Sequence, residues 1–125
     1  MTAVTANEPA IDDAVSVARA TDALLEAGLP PRLIVDCSHG NSGKDYRKQP
    51  VVAAAVAAQV AAGSAAICGL MLESHLVEGR QAVVDGRSNL RYGQSVTDGC
   101  VGWEDTVKVL EELAAAVRQR NSVAA

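Results

Sequence analysis

Aromatic side chains are nearly missing from this chain: its 125 residues include one tryptophan, two tyrosines and no phenylalanine. That excludes a core built on stacked rings. Ala, Val, Leu and Ile must fill the interior, which makes it small-grained and dependent on neighbouring surface. A basic excess is also missing. Fifteen acids stand against 11 cations, for a net charge of −4, whereas a face that tracks nucleic-acid phosphates carries the opposite balance. No nucleic-acid partner is expected. Cysteines are few and odd in number: Cys37, Cys68 and Cys100 form neither a CxxC pair nor a secreted disulfide framework. Reduced thiols in a cytoplasmic protein are the expectation. Long apolar runs are lacking as well. The longest, Val51 to Gly63, contains Gln59 and is too short to span a bilayer. The opening "MTAVTANEPAIDDA" has no cationic segment followed by an apolar one, so no signal peptide and no membrane partner are expected.

What is present fits one soluble domain. Hydrophobic residues make up 49% of the chain and charged residues 21%, a globular balance rather than a disordered one. Residues 1–10 read as a disordered start and 121–125 as a fraying tail, with the folded unit between 11 and 120. Asp12 or Asp13 caps a helix over "DAVSVARATDALLEAG" that stops at Gly28, before Pro30 and Pro31. "RLIVDCSH", Arg32 to His39, is β-branched and of strand length. After the loop Gly40 to Gly43 a helix begins near Lys44, meets Pro50 and ends at Gly63. "AAICGLMLES", Ala65 to Ser74, reads as a second buried strand. A Gly-rich polar stretch follows, with a tight turn suggested at Asp85-Gly86. The last helix, "WEDTVKVLEELAAAVRQR", places Val107, Leu110, Leu113, Ala114 and Val117 on one stripe, with Trp103 packing it down.

Both strands are apolar through most of their length instead of alternating, which predicts an α/β fold with a helix-covered parallel sheet. In such folds chemistry sits at the C-terminal strand ends. The first strand ends on His39 and the second on Glu73, while the short extended piece "SVTDGCVGWED" reaches Asp98 before the last helix. An imidazole and two carboxylates form a set suited to a divalent metal such as Mn, Fe, Co or Zn. The residues carry no short-range signature, so residue types alone equally allow a hydrogen-bonded loop histidine and two carboxylates that satisfy backbone. Lys44, Arg47 and Lys48 read either as a solvated helical face or as cations aimed at a phosphate. Cys37, two residues before His39, is a packed thiol or a group that reaches the same pocket. His75 falls in the loop beyond.

The segments "DCSHGNSGK", "LMLESHLVEG" and "YGQSVTDGCVGWEDT", in this order and spacing, resemble the C-terminal part of the type I 3-deoxy-D-arabino-heptulosonate 7-phosphate (DAHP) synthases. The likeness runs from about Asp12 to Arg120. It implies the C-terminal portion of a (β/α)8 barrel: helix 6, strand 7, helix 7, strand 8 and helix 8. It also implies a transferase that condenses phosphoenolpyruvate with erythrose 4-phosphate at the start of the shikimate pathway. The family's metal-binding histidine, glutamate and aspartate fall on His39, Glu73 and Asp98. His39 and Asp98 would also steer protons. The family's fourth ligand, a cysteine on an early strand, has no counterpart here, and most of its phosphate-holding cations lie upstream too. A full barrel needs about 250 residues. The chain alone is therefore expected to be inactive and to associate through uncovered strand edges. The alternatives are a split subunit completed by a separate N-terminal chain, or a non-catalytic metal-binding or regulatory module.

Overall fold

The first strand is short because its apolar residues are quickly followed by functional ones. In the computed structural model, which describes residues 12–124, β1 spans Leu33–Asp36 and pairs in parallel with β2, Ile67–Met71. Leu33 faces Ile67, and Asp36 faces Met71. The expected parallel α/β pair is present, with both strands shorter than the sequence suggests. Backbone pairing ends where Cys37 N–H donates to the Met71 carbonyl at 2.9 Å, and the chain then turns into the site. Residues 1–10, expected to be disordered, lie outside the described residues.

Helix α1, Ala14–Glu26, starts at Asp13, whose carboxylate accepts from Ser16 N–H at 2.6 Å. It ends as the sequence predicts. Gly28 takes φ +70°, Gly28 N–H donates to the Leu25 carbonyl and Leu29 N–H donates to the Leu24 carbonyl, which closes a Schellman motif.

The segment after β1 differs from its expectation. Gly40, Asn41 and Ser42 lie in a helical turn, α2 (His39–Ser42), which closes through Gly43 in the left-handed region. A 3-10 turn over Tyr46–Lys48 follows, capped by the Asp45 carboxylate. The main helix, α3, begins only at Gln49 and runs to Ala61. Pro50 does not interrupt it, because in the first turn its missing N–H has no intrahelical partner to lose.

The core forms where α1, α3 and α4 meet β1. Helix α3 buries Val52, Ala53, Val56, Ala57 and Val60, one helical stripe, against Val35 and Cys37 of the first strand and its end. Cys37 is fully buried, and loss of hydration pushes its thiol up to about 12, with the Asp36 charge adding to the effect. It is a core side chain rather than a pocket ligand.

Helix α4, Trp103–Ala124, corrects two expectations. Its fully buried residues are Thr106, Val109 and Ala116, and of the stripe that sequence periodicity suggests Leu113 packs against the core while Ala114 is exposed. Leu110 and Val117 are exposed, and Trp103 is 55% exposed rather than packed. The helix runs to Ala124.

Between β2 and α4, the Gly-rich stretch contains a second small parallel pair, β3 (Val77–Arg80) with β4 (Gln94–Ser95). Side-chain amides hold it. Gln81 donates to the Arg91 and Gln94 carbonyls, and Gln94 donates to the Glu78 carbonyl. Asp85 and Gly86 both take positive φ, as a tight turn requires.

Candidate metal centre

Three chain segments that are far apart in sequence deliver the site. His39 opens α2 just past β1, Glu73 lies just past β2, and Asp98 lies between β4 and α4. One ligand atom from each falls within 4.8 Å of the others. His39 Nε2 is 3.5 Å from Glu73 Oε1 and 3.8 Å from Asp98 Oδ2. The sequence expectation that these strand ends converge is met in the geometry.

His39 and Glu73 are each held by further residues. Asp36, the last residue of β1 and itself buried, anchors the histidine. Its Oδ2 lies 2.8 Å from His39 Nδ1, and its Oδ1 accepts from Ser38 N–H at 2.8 Å. In the neutral ring, a proton on Nδ1 donated to Asp36 leaves the Nε2 lone pair facing the two carboxylates. This carboxylate–histidine arrangement is the one that fixes the tautomer of a metal-binding imidazole. His39 adopts φ 45°, rare for a non-glycine residue, and the Asp36 bonds hold it there.

Glu73 is held at both its side chain and its backbone. Ser38 Oγ donates to Oε2 at 2.5 Å. Gln49, fully buried at the start of α3, accepts from Glu73 N–H at 2.8 Å and donates to the Glu73 carbonyl at 3.1 Å. Replacing Gln49 with alanine should therefore cost about 2 kcal/mol, because two backbone groups lose their partner at once. A urea titration checks this; an unchanged midpoint would show that Glu73 is held by something else. Asp98 is the loosest member, with its side chain 67% exposed.

The electrostatics agree with a cation site. The hydrogen bond to Asp36 raises the His39 pKa above its ordinary value, partial burial opposes this, and the charges of Asp36, Glu73 and Asp98 reinforce it. Negative charge gathered round an imidazole either keeps a proton there or, once the proton leaves, favours a cation in its place. One nitrogen and two carboxylate oxygens, with Nε2 oriented by an anchored Nδ1, fit a divalent transition metal.

An open cavity of about 650 Å³ adjoins the three ligands. Lys44, Arg47 and Arg80 line it as well, as do Tyr46 and Gly99. Lys48, grouped with Lys44 and Arg47 by sequence, is not part of this lining. His75 is exposed and uses Nδ1 to accept from Leu76 N–H, away from the cluster.

Several contributors were not visible in the sequence reading. Asp36 stands three residues before His39, a spacing that could have signalled a carboxylate–histidine pair. Ser38, Gln49 and Arg80 carried no signal of their own. Tyr46 packs so closely on Gly99 that an added Cβ there would lie 2.7 Å from its ring, which explains the glycine beside Asp98.

Comparison with known proteins places these features in a family. Residues 6–111 match the DAHP synthetase I family. A Schizosaccharomyces pombe relative is 56% identical over 111 residues, covering 88% of this chain and 30% of that protein. The Tyr-sensitive phospho-2-dehydro-3-deoxyheptonate aldolase of Escherichia coli K12 is 52% identical over 97 residues, 78% of this chain and 27% of that one. Among solved structures, the phospho-2-dehydro-3-deoxyheptonate aldolase of Francisella tularensis SCHU S4 superposes with a TM-score of 0.83 at 43% identity, over 90% of this chain and 32% of that one. The chain thus spans about a third or less of each of these three relatives.

Proposed function

This chain belongs to the DAHP synthetase I family, and from that premise we propose that it carries the metal-holding sector of a DAHP synthase. The reaction joins phosphoenolpyruvate to erythrose 4-phosphate with uptake of water, releases inorganic phosphate, and opens the shikimate route to chorismate and the aromatic amino acids. The observation that carries this reading is the convergence of His39, Glu73 and Asp98 from three separate segments on one point.

In the proposed enzyme β1 and β2 are the seventh and eighth strands of a (β/α)8 barrel, with α1, α3 and α4 as its sixth, seventh and eighth helices. Their parallel pairing and the position of the ligands just past the strand ends support it. When bound at His39, Glu73 and Asp98, a divalent cation (Mn, Fe, Co or Zn) supplies an electrophile for the aldehyde oxygen of the sugar phosphate. The chain's own residues do the positioning. Asp36 keeps His39 Nε2 aimed at the reacting groups, and Ser38 with Gln49 fixes Glu73 against it. Asp98, exposed and without a side-chain anchor in the same network, is suited to move a proton at its carboxylate; His39 is its nearest proton partner at 3.8 Å.

A partial barrel leaves its work unfinished. The β1–β2 pair has two members against about eight in a closed barrel, and Cys68 on β2 is exposed. These open edges favour association through them. The three free thiols suit a reducing cytoplasm. Among the described residues no helix is long and apolar enough to cross a membrane. The test is to incubate the purified chain with both substrates and Mn²⁺. The expected result is no product above background; turnover at ordinary enzymatic rates would overturn the partial-barrel reading.

A further inference from the structure

Asp98 reaches the cluster from a stretch of chain with little backbone support. Before it, Ser95 Oγ accepts from Thr97 N–H at 3.1 Å. After it, Cys100 and Gly79 exchange two backbone bonds: Cys100 N–H donates to the Gly79 carbonyl at 3.1 Å, and Gly79 N–H donates to the Cys100 carbonyl at 2.8 Å. Between these ties lies Gly99, and glycine has the widest backbone freedom. Its φ is outside the left-handed region, so no backbone demand accounts for a glycine there. Space does. A Cβ on Gly99 would lie 2.7 Å from Cδ1 of Tyr46, and one on Gly79 would lie 3.6 Å from the Tyr46 hydroxyl oxygen. One ring therefore lies along the Gly79–Cys100 bridge, with its base on Gly99 and its tip on Gly79.

The ring is itself well fixed. Tyr46 opens the 3-10 turn that Asp45 clips shut: the Asp45 carboxylate accepts from Arg47 N–H at 3.1 Å, and its carbonyl accepts from Lys48 N–H at 3.0 Å. The Tyr46 hydroxyl has no hydrogen-bond partner among the described residues, so the side chain acts through its shape.

We propose that Tyr46 is the positioning residue of Asp98, its ring wedged against Gly99 and Gly79 so that the loop presents this carboxylate to His39 and Glu73. For what Asp98 holds, this rests on the proposed function above. One short segment then supports both acids: Gln49 fixes Glu73 by hydrogen bonds, and Tyr46 fixes Asp98 by contact. An exposed carboxylate needs such support, because a cation binds best to ligands ordered before it arrives. Without the ring, the freedom at Gly99 must be lost anew each time a cation binds.

Two measurements on the full chain test this. Amide hydrogen exchange in EDTA, followed by NMR, reads the loop without metal. Tyr46→Ala is expected to speed exchange at Cys100 and Gly79 about tenfold and to leave Val56, in α3, unchanged. Tyr46→Phe keeps the ring and is expected to match the native chain. Gly99→Ala, which drives a methyl group into the ring, is expected to loosen Cys100 from the other side. Calorimetric titration with Mn²⁺ reads the consequence. Tyr46→Ala is expected to weaken binding about tenfold and Tyr46→Phe to preserve it. Added to Asp98→Ala, Tyr46→Ala is expected to change nothing further, because the residue it positions is already gone. Unchanged exchange at Cys100, exchange that quickens equally at Val56, or loss of the native behaviour in Tyr46→Phe would overturn the assignment. So would an equal weakening of Mn²⁺ binding by Tyr46→Ala with Asp98 already removed. If the native chain holds no Mn²⁺, the metal reading fails and the exchange measurement still judges Tyr46.

Discussion

His39→Ala should lower Mn²⁺ affinity at least about a hundredfold. The estimate follows from geometry: loss of a residue that merely orients a metal ligand already costs about 10–100-fold, and here the ligand itself goes. His39 is also the only nitrogen donor of the three-residue set. Without it two carboxylates remain, of which Asp98 is mostly exposed and hydrated. Glu73→Ala should come close to the same loss, because Glu73 is the better-anchored carboxylate, held by Ser38 and through its backbone by Gln49. Asp98→Ala should lose less. Calorimetric titration with Mn²⁺ gives the ranking, and affinity that survives His39→Ala would remove the imidazole from the site.

Asp36→Asn should act on the same affinity through pH. A cation competes with the proton for the His39 ring, so binding grows as pH rises past the His39 pKa. In the native chain that pKa is raised, first by the hydrogen bond to Asp36. The rise in affinity is therefore centred above the ordinary histidine value of about 6.5. Removing the Asp36 charge lowers the centre, and the loss of orientation lowers the affinity reached at high pH by about 10–100-fold. The effect on stability has the opposite pH sense. A raised folded-state pKa stabilises the metal-free fold fully below the unfolded value of about 6.5, and that contribution fades as pH climbs through the raised value. Mn²⁺ titrations from about pH 5 to about pH 9 check the first point, and urea melts of the metal-free chain check the second. A variant whose midpoint stays put or moves upward would show that Asp36 does not set the histidine.

The sequence made the strand ends readable because β1 is a nearly unbroken apolar run that stops on chemically distinctive residues. That singled out His39, Glu73 and Asp98 as candidates but left a hydrogen-bonded loop histidine and backbone-satisfying carboxylates equally open, and the family resemblance made the choice. The supporting residues were harder to see. Asp36 looks like the end of a strand, and its hold on both the His39 ring and the Ser38 amide appears only once the chain folds back. Gln49 sits inside a run of polar residues and reads as surface, yet it is fully buried. The β3–β4 pair left no hydrophobic alternation because glutamine side chains, not apolar contacts, hold it. On α4 only part of the expected stripe is used: Leu113 packs against the core, while Leu110, Ala114 and Val117 are exposed. Periodicity reports an apolar stripe, and partner shape decides which edge of it is used. Leu110 and Val117 remain exposed on the other edge.

The most direct measurement is crystallographic: grow the chain with Zn²⁺ and locate the ion by anomalous scattering. The account predicts one peak bonded to His39 Nε2 and to a carboxylate oxygen of Glu73 and of Asp98, at roughly 2.0–2.2 Å from each. A peak elsewhere, or one that touches the carboxylates while His39 keeps both its nitrogens on protein partners, would contradict it.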